Sequence, residues 1–395
     1  MTLTSIRMYK SMSSATVIRI ACVMVIAGAW IRSLFYYLPS PVFWPILLGQ
    51  AVISCAFPLF SSAITLLANK WGSDTEREMV IAMCCISIPF GNLIAFIYTG
   101  FSFTHTLNWS NEEIFRKLNT EIFGMNLMVS VFALGLFIFI KDKPDNYPSR
   151  VATKKPVDKN FWAQSKEAFQ DRNFKILLSA MMLINGTFIS FGTCIAVVYG
   201  NIPIGFSSSG ISMCGILSIT FGVITAFIVG IILKKTKKNL LITRIFSCFA
   251  LLTISFNLAL MVFELPKYLY LVNSTLIGAS LIPIVPVLIN FAAEITFPQE
   301  PTVITGFMLM VGRIFGFLLS LVVTYVADKW DIWAFFILWV NLLIAAILTI
   351  FLKEDLKRSN FSKSMTKEGR NPRYGNRISI TDLVTDFTIR YSVCI

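Results

Sequence analysis

The fold of this chain is constrained most strongly by ten apolar segments, each long enough to cross a lipid bilayer as a helix. They lie at about residues 16–38, 42–68, 79–101, 122–140, 175–199, 207–233, 240–263, 267–292, 302–327 and 331–352. A helix rises 1.5 Å per residue, so ~20 residues cover the ~30 Å of hydrocarbon in a bilayer. The pattern predicts an all-α polytopic membrane protein in which a charged stretch, residues 141–174, separates four spans from six.

The composition excludes soluble classes of protein. Hydrophobic residues make up 56% of the 395 residues and charged residues 14%, whereas roughly 25% of the residues in a soluble domain are charged. The net charge of +13 does not indicate a nucleic-acid partner, because the Lys and Arg residues lie in short loops and at the two ends of the chain. The expected partner is the lipid bilayer, and we expect a monomer.

Motifs for catalysis and for metal binding are absent from the sequence. It contains no Walker loop, no nucleophile elbow, no HExxH motif and no pair of carboxylates within a span. Seven of the eight Cys residues lie inside apolar segments, no CxxC pair occurs, and the single His is His105. Cys and His therefore do not indicate a metal or haem-iron site, and the sequence predicts neither an enzyme nor a bound cofactor.

The loop charges predict the orientation of the spans. Lys and Arg residues concentrate at the N terminus, in the loops after the second, fourth and sixth spans, and in the C-terminal tail. Cytoplasmic loops carry such an excess, so both termini of this multi-pass protein are expected in the cytosol, with the plasma membrane as its location. On the opposite side, Asn108-Trp109-Ser110 forms a sequon, and Asn108 either carries a glycan or matches the motif by chance.

These features divide the chain into four regions. Residues 1–140 form an incomplete N-terminal transmembrane half of four spans, residues 141–174 a cytoplasmic linker, residues 175–352 a C-terminal transmembrane half of six spans, and residues 353–395 a disordered cytoplasmic tail. Within the linker, Asn160 to Phe174 places apolar side chains on one helical face. This pattern is typical either of a short interfacial helix or of an extension of the next span.

Polar residues inside the spans are the candidates for function, because a polar group in hydrocarbon is costly without a partner. Arg313 lies in the middle of the ninth span. It either faces a cavity, where it binds an anionic group or pairs with an acid, or it snorkels and satisfies backbone carbonyls. Glu294, at the cytoplasmic end of the eighth span, is either a gating residue or an ordinary interface residue.

Prolines predict interruptions in two spans. Asn92 follows Pro89 and Gly91, a combination that favours a broken helix with its carbonyl groups turned toward a cavity. Pro283 and Pro286 predict the same in the eighth span. Other amide side chains within spans are expected mainly to form hydrogen bonds between helices; they are Gln50, Asn69, Asn126, Asn185, Asn257, Asn273, Asn290 and Asn341.

Short motifs along the chain point to a family. They are Gly49-Gln50, Asn69-Lys70-Trp71-Gly72, Phe90-Gly91-Asn92-Leu93, Glu294-Ile295-Thr296-Phe297-Pro298, Arg313-Ile314-Phe315-Gly316 and the run from Leu352 to Arg358. Together they resemble the feline leukaemia virus subgroup C receptor-related family of the major facilitator superfamily, over residues 16–360. The resemblance implies twelve spans, of which the first two are missing here, and alternating access.

The resemblance also implies a substrate and its binding residues. Choline or ethanolamine is the implied solute, with haem transport attributed to the family as well. The predicted substrate-binding residues are Asn92, Thr193 and Arg313. Arg313 stands where the family has Gln, and Thr193 stands near a family Tyr. Because a quaternary ammonium binds to aromatic faces away from other cations, Arg313 favours an anionic or zwitterionic solute, or a porphyrin with propionates.

Two functions are compatible with the sequence. The first is a solute transporter of this family that works by alternating access. The second is a non-transporting family member, either a degenerate carrier with a receptor-like role or the product of an incomplete gene model.

Overall fold

The computed structural model describes residues 2–34, 44–72, 76–102, 110–142, 161–201, 206–355 and 357–358. Within these residues the chain forms thirteen helices: α1 (Thr2–Ser11), α2 (Ser14–Ser33), α3 (Trp44–Trp71), α4 (Arg77–Ser102), α5 (Asn111–Phe139), α6 (Phe161–Ala168), α7 (Arg172–Asn201), α8 (Ser208–Thr236), α9 (Asn239–Val262), α10 (Lys267–Leu281), α11 (Ile284–Ile295), α12 (Pro301–Ala327) and α13 (Asp331–Ile350). Ten candidate membrane spans lie in the described part, which confirms the predicted number.

The fourth span begins earlier than its hydropathy predicts. Helix α5 starts at Asn111, where a capping box joins the Ser110 side chain to the backbone N–H of Glu113 and the Glu113 side chain to the backbone N–H of Ser110. Such a cap satisfies two of the backbone donors that a helix N terminus leaves free. The polar first turns of α5 are therefore helical, although the apolar pattern starts the span only at about residue 122.

We refer to α2–α5 as the N-terminal half, and its helices are joined by glycine contacts and amide bonds. A Cβ atom at Gly28 would lie 2.7 Å from the carbonyl oxygen of Gly49, so α2 and α3 approach more closely than larger residues permit. Asn126 of α5 accepts a 2.6 Å hydrogen bond from Arg32 and donates to the backbone of Ala29 at 2.6 Å. These contacts hold α5 against α2.

We refer to α7–α13 as the C-terminal half, in which α7 packs against α12 and α13, and α8 packs against α10. The α8–α10 contact depends on Gly278, because a Cβ atom there would overlap the carbonyl oxygen of Ser218. Most of the apolar core lies in this half, including the fully buried side chains of Tyr199, Phe291 and Phe335.

The two proline-containing segments behave differently. The eighth span is interrupted, since α10 ends at Leu281 and α11 begins at Ile284, which confirms the break expected from Pro283. The break expected before Asn92 is wrong, because α4 continues through Pro89 without interruption. Proline removes only one backbone donor, and a membrane helix tolerates it when neighbouring groups satisfy the freed carbonyl.

The linker ends in a separate short helix. Helix α6 stops at Ala168, and a turn precedes the start of α7 at Arg172, so this segment is not an extension of the following span. Gln164 of α6 is fully buried and accepts a hydrogen bond from the backbone N–H of Glu300, the residue that precedes α12, at 3.0 Å. Trp162, on another face of α6, is exposed. The hydrogen bond from Glu300 to Gln164 attaches α6 to the beginning of α12.

Helix α1 extends deeper into the bundle than the polar N-terminal segment predicts. The Ser5 hydroxyl donates to the carbonyl of Pro58 at 3.0 Å, and the Tyr9 hydroxyl donates to the carbonyl of Leu59 at 2.8 Å. Both acceptors lie near the middle of α3. The hydropathy pattern does not predict α1, since charged residues such as Arg7, which is exposed, lower the hydropathy of this segment.

Candidate functional site

The two halves enclose a cavity of about 390 Å³. They meet where α3 contacts α12 and where α4 contacts α8 and α11. The cavity lies within the size range of small-molecule sites, ~300–1,000 Å³. Asn92 of α4, Thr193 of α7 and Arg313 of α12 all line it, so three residues that are far apart in the sequence are brought together. Most other lining side chains are apolar, among them Phe96 and Phe188.

Arg313 supplies the charge of the cavity. It is the one charged residue among the described lining residues, which include no Asp or Glu. The guanidinium lies over the ring of Phe57 on α3, with its central carbon 4.2 Å from the ring centroid. This cation–π contact crosses from the C-terminal half to the N-terminal half. A cation–π contact does not use the hydrogen-bonding capacity of the five guanidinium N–H donors.

Asn185 is a cavity residue that sequence reasoning did not select. Its side chain is 7% exposed and lines the cavity. The amide nitrogen has no hydrogen-bond acceptor among the described residues. It lies against α12 beside Arg313, because a Cβ atom at Gly312 would be 3.0 Å from the Asn185 Nδ2 atom. In the sequence, Asn185 is one of several buried amides, and no local pattern separates it from the others.

Thr193 and Asn92 contribute neutral polar groups. The Thr193 hydroxyl lies 2.7 Å from the Ser320 hydroxyl and donates to the carbonyl of Ser190 at 3.0 Å, so it joins α7 to α12 at the cavity. Asn92 is exposed to the cavity from α4. Both side chains can form hydrogen bonds with a bound solute, and neither carries a charge.

Glu294 lies in a buried ion pair between the halves. Its Oε1 atom is 2.8 Å from the Arg77 Nη2 atom, and the two side chains are 3% and 4% exposed. The same nitrogen donates to Asn290 at 2.8 Å, and Asn290 in turn donates to Asn239 at 2.8 Å. Arg77 begins α4 and Glu294 is near the end of α11, so the pair connects the N-terminal half to the C-terminal half.

The ion pair lies between the cavity and the side that the loop charges assign to the cytoplasm. The cavity residue Cys85 is eight residues further along α4 than Arg77, which corresponds to ~12 Å of helix. A second contact between the halves, from Lys234 to Glu76 at 3.7 Å, lies closer to solvent on the same side. Two charged contacts therefore join the halves on this side of the cavity, and one of them is almost completely buried.

Two further sequence predictions concern a glycan and a metal ion. Asn108 lies outside the described residues. In the described part of the chain, no group of three or more His, Cys, Asp or Glu side chains could hold a metal ion.

The sequence is similar to a large group of membrane proteins. The family model described as Major Facilitator Superfamily matches residues 12–320. An uncharacterised MFS-type transporter of Caenorhabditis elegans is 28% identical over 345 residues, which are 84% of this chain and 56% of that protein. The choline/ethanolamine transporter flvcr2a of Danio rerio is 27% identical over 379 residues, or 90% of this chain and 76% of that protein.

The feline relative and two solved structures extend this similarity. The choline/ethanolamine transporter FLVCR1 of Felis catus is 23% identical over 85% of this chain and 60% of its own length. The chain thus spans between 56% and 76% of the length of these three relatives. A variant of the E. coli fucose:proton symporter FucP has a TM-score of 0.64 at 14% identity, over 89% of this chain and 87% of that chain. FucP in the outward conformation has a TM-score of 0.69 at 13% identity, over 89% and 86%.

Proposed function

The chain belongs to the major facilitator superfamily, and we propose that it is a transporter that carries a small organic solute across the membrane by alternating access. The observation that carries this proposal is a cavity between two helical halves, with a buried ion pair that joins the halves on one side of it. Arg77 and Glu294 come from opposite halves, and the residues around the cavity come from both. Rocking of one half against the other around this cavity would separate the pair and open that side.

The energetics of the ion pair suit a gate. Two charges that lose their water in a buried pair are stable only while they remain together, since an unpaired buried charge costs several kcal/mol. When the halves separate, water can solvate both groups again, so the pair favours one closed state without forbidding the other. Glu294 is accordingly proposed as the acidic member of a cytoplasmic gate, with Arg77 as its partner.

The proposed binding residues are Asn92, Thr193, Asn185 and Arg313. Choline or ethanolamine is the first solute to test, because these names are attached to the Danio rerio and Felis catus relatives. We further propose cytoplasmic termini, a plasma-membrane location, a monomer and a glycan at Asn108. The charged linker and the tail would then lie together on the cytoplasmic side, away from the sequon.

Uptake into cells that express the chain tests the proposal. We expect labelled choline, ethanolamine or an acid-bearing analogue of either to accumulate faster than in cells with an empty vector, with saturation at rising solute concentration. A Glu294→Ala variant at equal surface expression, which lacks the proposed gate, should accumulate less of the same solute. Equal uptake by the expressing and empty-vector cells for every solute tested, haem included, would contradict transport and favour a non-transporting family member.

A further inference from the structure

We propose that Arg313 and Asn185 form a subsite for an acidic group, so that the solute bound in the cavity carries a carboxylate or a phosphate. The inference rests on the proposed function, since it concerns the solute that the same cavity would carry. It goes beyond the names of the relatives, because choline and ethanolamine have no acidic group. The observation that carries it is that two residues of the cavity wall, Arg313 and Asn185, have hydrogen-bond donors with no acceptor among the described residues.

The first donor is the edge of the Arg313 guanidinium. The central carbon of the guanidinium lies over the Phe57 ring, 4.2 Å from its centroid, and no hydrogen bond or ion pair to Arg313 occurs among the described residues. An arginine presents its N–H groups as a planar fork that matches the two oxygens of a carboxylate or a phosphate. The contact with Phe57 holds the guanidinium at the cavity wall, so a bound acid would meet donors that are already positioned there.

The second donor is the amide nitrogen of Asn185. The side chain is more than nine-tenths buried, lines the cavity and leaves its Nδ2 atom without an acceptor. Buried amides normally have a partner, and each exception needs an explanation. Gly312 allows the amide to lie against α12 immediately before Arg313, and a larger residue at 312 would displace it. An acceptor brought by the solute supplies the missing bond.

The charge balance of the cavity favours an acid as well. The described lining residues include Arg313 and no carboxylate. A solute whose only charge is an ammonium would share the cavity with an uncompensated cation, which is unfavourable at short range in a poorly solvated site. An acidic group removes this repulsion. Phe96 and Phe188, which also line the cavity, offer aromatic surface for an ammonium at the other end of the solute, so a zwitterion satisfies both parts.

Binding of three matched probes to the purified full-length chain tests the subsite. Choline, glycine betaine and phosphocholine share a trimethylammonium group, and only the last two carry an acid. We expect glycine betaine or phosphocholine to bind the wild-type chain at least ~10-fold more tightly than choline, since a hydrogen bond to a charged group typically contributes that much or more. Tighter binding of glycine betaine identifies a carboxylate site, and tighter binding of phosphocholine identifies a phosphate site.

Three variants separate the subsite from general damage to the protein. Arg313→Gln is expected to weaken binding of the preferred acid by roughly 10- to 100-fold and to leave choline binding equal or stronger. Asn185→Asp places a negative charge of the same shape in the cavity, and it should reverse the preference between the acid and choline. Thr225→Val, whose hydroxyl bonds only to the backbone of its own helix outside the cavity, should change neither affinity.

The outcomes also separate this inference from transport itself. Choline binding as tight as that of both acids, no binding of either acid, or an unchanged preference in Arg313→Gln and Asn185→Asp would overturn the subsite. Tight acid binding without uptake of any solute would leave the subsite intact and contradict the transporter. Uptake of choline with no preference for an acid would support the transporter and contradict the subsite.

Discussion

Replacement of Glu294 by alanine is expected to reduce solute uptake at least ~10-fold without loss of the protein from the membrane. The change leaves the Arg77 guanidinium in a site where it is 4% exposed and has lost its carboxylate partner. Removal of one partner from a buried pair typically costs about 3–5 kcal/mol. The state closed on the cytoplasmic side bears this cost, whereas a state open to water on that side does not, and the carrier should remain in the open state.

Exchange of the two residues distinguishes a gate from a simple packing contact. The double variant Arg77→Glu with Glu294→Arg restores an ion pair between α4 and α11, and it should recover part of the uptake that each single change removes. Glu112→Ala, at an exposed position of α5, is the matched control and should behave as wild type. Normal uptake by Glu294→Ala, or no recovery in the double variant together with wild-type stability, would argue against the gate.

Replacement of Gly278 by alanine is expected to produce the largest loss of stability among conservative changes. A Cβ atom at this position would overlap the backbone carbonyl of Ser218, and a backbone atom cannot move aside by changing rotamer. Helices α8 and α10 would have to separate, which in a well-packed core typically costs about 1–3 kcal/mol and occasionally more. The separation would also disturb the cavity, since Ser218 lines it.

Thermal unfolding of the purified chain measures this effect. Gly135→Ala is the matched control, because a Cβ atom at residue 135 would have no neighbour within 4 Å among the described residues, apart from the adjoining residues and backbone of its own helix. We expect a clearly lower unfolding midpoint for Gly278→Ala and an unchanged or slightly higher one for Gly135→Ala, in which alanine also improves helix propensity. Equal midpoints for the two variants would show that α8 and α10 do not depend on this close approach.

The helices and the family could be predicted from the sequence because both depend on local patterns. Each span is a continuous apolar stretch, and the break in the eighth span follows from Pro283, which lies between α10 and α11. The match of the family model to residues 12–320 confirms the predicted superfamily, and the similarity to FucP confirms the fold. Pro89 misled the prediction because a single proline weakens a membrane helix without always breaking it.

The site was predictable only in part, because partners depend on contacts between distant segments. Arg313 stands out in the sequence as a charge inside a span, but its contact with Phe57 joins residues 256 positions apart. Arg77 resembles any other cytoplasmic loop charge until α4 is packed against α11. Asn185 becomes notable only once its amide is seen to be buried without an acceptor. In each case, the missing information is the packing of the two halves.

If Arg77 and Glu294 form the proposed gate, they close the cavity toward the cytoplasm. Gly192→Cys provides a probe, since residue 192 lines the cavity and a Cβ atom there meets open space. The measurement is the rate at which a membrane-impermeant thiol reagent modifies this cysteine from each side of the membrane, after subtraction of the rate for the parent chain.

We expect modification from the outer side to be at least ~10-fold faster than from the cytoplasmic side, because a closed pair that shifts the equilibrium by more than about 1.4 kcal/mol limits access from the cytoplasm to that extent. Addition of Glu294→Ala should raise the cytoplasmic rate toward the outer one. Closure by the Arg77–Glu294 pair would be contradicted by equal rates from the two sides when the pair is intact, if Glu294→Ala also leaves these rates unchanged.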